Sequence, residues 1–278
     1  MQVSVCFIVT NYNNSDFTAG MVNSIAACSF DSYRVVIVDN NSSHSERKKL
    51  EALKREFPDI VFPIFNGQNV GYFPGLNIGI AFARKELPQV TFYVVGNNDL
   101  IFPADFGGQL KQCKSDFDKY PVISPNIVML DGSPQNPHVI SHISKAREFV
   151  YDLYHLSYLM AKLIIKIARL TSRFTDRKDE QQSDVAQEIY QGYGACYILG
   201  PLFFEHFDEL WAPTFLMYEE FFLSRQLEIK GFKIYYEPMI KVQHHCHAST
   251  ILLPGYNKWL LSKAAHKEYR KYVKIWRQ

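Results

Sequence analysis

The chain has 278 residues, 47% of them hydrophobic and 21% charged, which is enough apolar material for a large core and too much for a disordered chain. Thirty Lys plus Arg against 28 Asp plus Glu leave a net charge of +2, so no overall basic field draws the protein onto nucleic acid, and none is expected among its partners. The positive charge is local: residues 145–178 hold eight basic side chains against three acidic ones, and residues 258–278 hold seven against one. Five cysteines (Cys6, Cys28, Cys113, Cys196, Cys246) form no CxxC pair and are expected to be free thiols in a reducing compartment. The opening MQVSVCFIVTNYNN lacks a basic stretch and a small-residue cleavage site and reads as a strand rather than a signal peptide. No run of about 18 uncharged apolar residues occurs, so a bilayer-spanning helix is not expected. A cytoplasmic protein, soluble or peripheral on the cytosolic face of the membrane, fits these features.

In chain order, residues 3–9, 33–39, 60–65 and 91–96 are short, nearly continuous apolar runs, the pattern of strands buried on both faces. Phe17 to Cys28, Ser45 to Phe57 and Gly75 to Leu87 lie between them with apolar residues at helical spacing. Strands alternating with helices over such short connections predict an α/β fold with a mostly parallel, twisted sheet and flanking helices. Farther on, 122–130 reads as a strand, 148–173 as one long helix and 175–189 as a charged, mobile loop. A glycine-bearing apolar run from Gly192 to Leu199, a helix starting near Tyr218 and a strand over 232–238 complete the pattern. The expected organisation is a nucleotide-binding half over 1–130, a helical and mobile insertion over 131–190, an acceptor-binding and catalytic half over 191–257, and a basic C-terminal helix over 258–278.

Ligands of parallel α/β sheets sit beyond the carboxyl ends of the strands. All four early strands end in polar residues: Thr10-Asn11-Tyr12-Asn13, Asp39-Asn40-Asn41-Ser42, Gln68-Asn69-Val70-Gly71 and Gly96-Asn97-Asn98-Asp99. Asp39 can accept the N3–H of uracil or thymine, or can cap the helix after it. Asp99 can share a Mg²⁺ or Mn²⁺ ion with a diphosphate, or can be a turn residue. The pair Glu219-Glu220 opens a helix, where the dipole alone favours acid; following the aromatic stretch Trp211 to Phe215, a shielded carboxylate there could also serve as a general base. His244, His245, Cys246 and His247 alternate faces of a strand and cannot converge on one tetrahedral zinc, so one imidazole beside a metal-bound diphosphate is the simpler reading.

Taken together, these motifs resemble the inverting glycosyltransferases of family 2, with a GT-A fold, and more narrowly the rhamnosyltransferase-like branch. The resemblance covers about residues 3–130 and 190–260. Its T-x-Y-N stretch is Thr10 to Asn13, its V-D-N-x-S is Val38 to Ser42, its N-x-G-(F/Y)-x-x-G-x-N-x-G runs from Asn69 through Gly71 and Asn77 to Gly79, and its N-x-D is Asn97-Asn98-Asp99. The resemblance implies a UDP- or dTDP-sugar donor held by Thr10, Asn11, Tyr12, Asp39, Asn41, Asn69, Gly71, Asn77, Asn97 and Asn98. It implies a divalent metal at Asp99, with His244 (in a V-x-H-x-x-x-x-S pattern ending at Ser249) facing the metal or diphosphate. Glu220 would be the base and Glu219 its neighbour, acting on a glycan or lipid-linked acceptor of a cell-surface polysaccharide. The chain departs from the family's Y-E-D-x-D-L in Tyr218 to Leu223, with Glu220 for the catalytic Asp and Phe222 for the second one. That departure motivates a rival, a catalytically silent sugar- or nucleotide-binding module. A sugar nucleotidyltransferase is disfavoured, since residues 10–19 contain no Gly, Arg or Lys to cradle a triphosphate.

Within 148–173, Asp152, His155, Lys162, Lys166, Arg169 and Arg173 recur at helical spacing and make one polar stripe on an otherwise apolar segment. Two readings stand: a helix packed on the domain or on a second copy in a homo-oligomer, or an interfacial helix on an anionic membrane surface, helped by Lys263, Lys267, Arg270, Lys271 and Lys274.

Overall fold

In a computed structural model, residues 4–175, 178–245 and 255–275 are described, without the side chains of 172–175. Cys246, His247 and Ser249, and the side chain of Arg173, lie outside the described residues. The first half alternates as expected: β1 (Ser4–Asn11), α1 (Ser15–Ala26), β2 (Ser32–Asp39), α2 (His44–Glu56), β3 (Val61–Phe65), α3 (Tyr72–Glu86), β4 (Phe92–Asn97) and β5 (Leu100–Ile101). Then follow α4 (Phe106–Gln112), α5 (Lys114–Phe117), β6 (Val122–Met129), α6 (Lys145–Leu156), α7 (Tyr158–Thr175), β7 (Gln187–Ile189), β8 (Cys196–Leu199), α8 (Pro201–His206), α9 (Glu219–Ile229), β9 (Ile234–His244) and α10 (Gly255–Tyr269).

One mixed sheet runs β3-β2-β1-β4-β8-β6-β9-β5, with β7 on β9. The β3-β2-β1-β4 half is all parallel, whereas β8 is antiparallel to both β4 and β6. Alternate residues of the parallel strands feed two cores. Val5, Phe7, Val35, Ile37 and Val94 pack under α1, α2 and α4; Cys6, Ile8, Val36, Val38 and Val95 pack under α3, α8 and α9. Burial on both faces is why these strands read as unbroken apolar runs. Register then aligns the strand ends, since Asn11 pairs with Asp39, Thr10 with Asn97 and Asp39 with Phe65. The polar strand ends therefore gather along one edge.

Three expectations are corrected. The long helix over 148–173 is two helices, broken at Ser157, whose extended backbone (φ −150°, ψ 158°) ends α6 and whose hydroxyl accepts the Met160 N–H to start α7. Apolar periodicity continues across the break and hides it; the N-capping serine is the signal. The supposed loop over 175–189 contains a 3-10 turn (Asp179–Gln182) and the strand β7, which pairs with β9 and buries only Ile189. A three-residue strand with one buried side chain leaves too short an alternation to read. The strand expected at 232–238 runs on to His244 through a bulge, because Pro125 pairs with Glu237 but Asn126 with Lys241, so Pro238, Met239 and Ile240 bow out. Pro238 cannot donate to a ladder, which ends the first pairing there.

α6 packs on α10 through buried polar groups. Arg270 donates to Asp152 and Glu148 at 2.6 and 2.7 Å, His266 meets Asp152 at 2.8 Å, and the His155 ring stacks on His266 at 4.0 Å. Asp152 and His155, two of the six residues of the supposed polar stripe, thus face protein, and Arg270 is taken by the first of them. No helix among the described residues is long and apolar enough to cross a membrane, and Cys6, Cys28, Cys113 and Cys196 are buried and unpaired.

Candidate active site

Asp39 is wholly buried at the end of β2. Its Oδ1 accepts from Asn11 Nδ2 (2.9 Å), and its Oδ2 from the Ser42 backbone N–H (3.1 Å) and Arg47 Nε (2.9 Å). It closes the turn onto Ser42 and leaves the N-cap position of α2 to Ser43. Arg47, which the sequence reading passed over, also donates to Asn66 O and Asn41 Oδ1 and so ties the loops after β2 and β3 together. Its signal was a cation in the first turn of the helix that follows a buried aspartate. Oδ1 has one partner and keeps a lone pair, but the side chain is fully covered, so an imide N–H reaches it only if the loop above it opens.

The other strand-end residues divide. Tyr12 is 43% exposed and Thr10 partly so, both open to a ligand. Asn41 is exposed in a left-handed conformation (φ 64°). Asn98 is turned inward, with Nδ2 donating to Thr18 Oγ1 (2.7 Å) and Asn14 Oδ1 (2.9 Å), and this amide cluster pins the β1 loop to the end of β4. Asn11 belongs to the same cluster through Thr18 (2.8 Å). Asn77 clamps the Leu210 backbone from both sides at 2.8 and 2.9 Å, and Asn69 accepts the Gly71 N–H at 3.0 Å. Gly71 has φ 97°, and a Cβ there would stand 2.1 Å from the Phe215 carbonyl, so only glycine lets the start of α3 meet the 211–217 loop. These five shape the site from behind.

Asp99 and His244 meet across the sheet, both nearly fully buried, with Oδ1 3.1 Å from Nε2. His244 is oriented by Gln135, whose Oε1 lies 2.8 Å from Nδ1, so Nδ1 carries the proton and Nε2 turns its other side toward Asp99. Asn97 Nδ2 approaches the same Nε2 at 3.2 Å. Two ligands about 2.1 Å from an octahedral ion lie about 3 Å apart, so a carboxylate oxygen and an imidazole nitrogen at this separation fit one divalent cation. A single carboxylate with one imidazole suits Mn²⁺ at least as well as Mg²⁺.

Glu219 and Glu220 open α9 after two consecutive left-handed residues, Met217 (φ 78°) and Tyr218 (φ 68°). For non-glycine residues this costs on the order of 1 kcal/mol each. The turn is held by the Met217 N–H donating to Glu219 Oε1 (2.9 Å), by Tyr218 Oη against His266 Nδ1 (2.8 Å), and by the Tyr218 ring stacked on Tyr269. Glu219 is buried; desolvation, reinforced by the Glu220 charge, pushes its carboxyl up to about 8. Glu220 is half-buried, and a Cβ on Gly194 would lie 2.6 Å from its Oε1, so glycine there makes room for it. The Tyr72 hydroxyl donates to Gly194 O at 2.7 Å, and burial first, then Glu219, Glu220 and Asp99, raise its pKa. One phenol thus senses all three carboxylates. Phe222 is fully buried against Trp211 and Phe221, a surrounding that suits an aromatic ring and would strand an aspartate.

Glu220 opens onto a cavity of about 420 Å³ whose walls include Arg147, Tyr151 and His155 from α6 and Ser262 and Tyr269 from α10. His155 is held neutral there, its pKa pushed down to about 4 by burial and by the neighbouring His266.

Burial of Glu219 has a consequence for stability. Its folded pKa lies above the ordinary value of 4.5, so the ionised form disfavours the fold, and stability is lost as pH rises from about 4.5 toward about 8. Glu219→Gln keeps an acceptor for Met217 and removes that penalty. Thermal melts should show the variant more stable than the wild type at pH 8 by a few degrees and equal to it near pH 4.

A mixed, mostly parallel sheet with flanking helices and its polar strand ends gathered along one edge is a GT-A-like fold. Residues 6–143 match the family "Glycosyl transferase family 2". An uncharacterized glycosyltransferase of Nostoc sp. is 33% identical over 87 residues, 31% of this chain and 26% of that protein. The mannosyltransferase PcManGT of Pyrobaculum calidifontis, solved with GDP-mannose and Mn²⁺, superposes with a TM-score of 0.58 at 14% identity, covering 99% of this chain and 66% of that one. GalNAc-T7, solved with UDP, GalNAc and Mn²⁺, gives 0.56 at 12% identity, covering 87% of this chain and 44% of that one. The chain is thus shorter than its relatives, and these likenesses establish the fold.

Proposed function

We propose that the protein is an inverting glycosyltransferase that moves a sugar, rhamnose on the motif resemblance, from a UDP- or dTDP-sugar to a glycan or lipid-linked acceptor of a cell-surface polysaccharide. The observation that carries this reading is the placement of Glu220 against Gly194, whose carbonyl accepts from the Tyr72 hydroxyl, at the wall of the cavity. Asp39 receives the pyrimidine imide, and Tyr12 offers an exposed ring beside it. The aromatic walls of the cavity suit the apolar face of an acceptor sugar, with Arg147 and Ser262 as hydrogen-bonding partners. Glu220 takes the proton from the acceptor hydroxyl as that oxygen attacks the anomeric carbon on the face opposite the nucleotide. Asp99 and His244 would hold a divalent ion, which would supply positive charge to the departing diphosphate. Glu219, protonated at neutral pH, keeps a second negative charge away from Glu220. A single displacement inverts the anomeric centre and needs no nucleophilic serine or cysteine.

The same pocket in a silent module would bind without turnover, but an accessible carboxylate in an acceptor-sized cavity favours an enzyme. Thermal shift and release of nucleoside diphosphate, measured over a panel of nucleotide sugars with Mn²⁺ and with a chelator, test the reading. UDP- or dTDP-sugars should stabilise the protein only with the metal and should be consumed. Absence of any Mn²⁺-dependent shift with pyrimidine diphosphates would overturn it.

A further inference from the structure

Among the described residues, α7 is a long helix whose apolar side the fold leaves largely uncovered. Leu159 is 78% exposed and Leu170 79%, with Leu163 and Ile167 each at 50%. Leu159, Leu163 and Leu170 lie four and seven residues apart, so they form one stripe, with Ile167 beside it. Ala161, on the opposite side near the start of the helix, is buried, whereas Ala168 on that same face is exposed, so α7 packs on the protein only through its first turns. A soluble monomer rarely shows so many large aliphatic side chains together unless they have a partner.

The partner's chemistry is set by what borders the stripe. Lys162, Lys166 and Arg169 recur at four and three residues and form a second row along the edge of the leucines. α7 contains no Asp or Glu at all. Lys162 lies 4.8 Å over the Tyr158 ring, and its partner helix adds Lys263 over Trp259 at 4.9 Å. A protein surface that covered the stripe would have to answer an uncompensated cationic row with acids. A leaflet of anionic lipid answers both features, accepting the leucines among its acyl chains and the cations among its headgroups.

We infer that α7 is an interfacial helix that lies on an anionic bilayer, with Leu159, Leu163, Ile167 and Leu170 inserted and Lys162, Lys166 and Arg169 at headgroup level. This refines the earlier reading of the two basic segments. Asp152 and His155 face α10, Arg270 is bound to Glu148 and Asp152, and Lys271 pairs with Glu268, so the membrane surface is α7 rather than the whole stripe with the C-terminal segment. Because α6 lines the cavity beside Glu220 and ends at Ser157, where α7 begins, the same arrangement places that cavity close to the bilayer. The membrane contact itself stands independently of the transferase reading.

Flotation of the full chain with vesicles tests it. Vesicles of phosphatidylglycerol and phosphatidylcholine in equal parts should carry the protein at low salt, pure phosphatidylcholine should carry much less, and high salt should weaken the first. The triple variant Lys162→Glu, Lys166→Glu, Arg169→Glu should bind the anionic vesicles at least about tenfold more weakly. Leu159→Gln with Leu163→Gln and Leu170→Gln should lose binding at every salt concentration while melting like the wild type, since these side chains are exposed. Sedimentation of the free protein supplies the opposing result. A stable dimer that the leucine variant dissociates, without flotation of the wild type at low salt, would overturn the proposal and make α7 a contact between copies. Flotation that both variants retain would overturn it as well.

Discussion

Glu220→Gln is expected to slow sugar transfer by about 10²–10⁴-fold while leaving affinity for the donor nucleotide nearly unchanged. The amide has the shape of the carboxylate and still fits against Gly194, so the half-buried position should hold and the melting temperature with it. What is lost is the capacity to accept a proton from the acceptor hydroxyl. Glu219→Gln provides the control, because that side chain is buried, already protonated near neutrality and absent from the cavity wall. It should retain most of the activity. Were Glu219→Gln inactive and Glu220→Gln active, the proton would go to the buried carboxylate, and the cavity beside Glu220 would not be the acceptor site. Glu220→Asp is informative too. It restores the shorter acid of the family motif but draws the carboxylate back toward α9, and a misplacement of about 1 Å is enough to cost about 10²-fold.

The parallel half of the fold was legible because each strand is buried on both faces and each crossover is short, so hydrophobic runs and helical spacing mark the elements directly. The rule that ligands gather at carboxyl ends of strands places Asp39 and Asp99 along one edge from the sequence alone. It could not say which polar side chain faces the ligand space. Asn77 and Asn98 sit in the same motifs as Thr10 and Tyr12, yet the first grips Leu210 and the second an amide cluster, because a buried amide must satisfy several hydrogen bonds and the nearest partners are backbone and neighbouring turns. Arg47 was missed for the converse reason, since a cation in an exposed helical turn looks like surface until its partner, Asp39, is seen to be buried beneath it. The α6–α7 break left no periodicity signal. The pairing of α6 with α10 joins residues more than 100 positions apart, Arg270 with Glu148 for instance, and no local pattern encodes such a contact.

Asp99→Ala should abolish the metal dependence of both donor binding and transfer, with turnover falling by at least about 10³-fold. The side chain stands just after β4 with its carboxylate 3.1 Å from His244 Nε2. Removing it takes away the hard oxygen ligand while Gln135 continues to hold the imidazole, so the fold should survive. Calorimetry of UDP with and without Mn²⁺ reads this directly: the wild type should bind more tightly with the metal, and the variant should bind equally weakly in both. His244→Ala should fall between them, losing Mn²⁺-assisted nucleotide affinity more than acceptor affinity, because a carboxylate alone can still hold a largely hydrated ion. If His244→Ala instead lowered the affinity for donor and acceptor equally and reduced the melting temperature, the imidazole would be a packing element between β4 and β9. Full transfer by Asp99→Ala in the presence of a chelator would remove the metal from the mechanism and leave diphosphate departure to be assisted by groups of the chain alone.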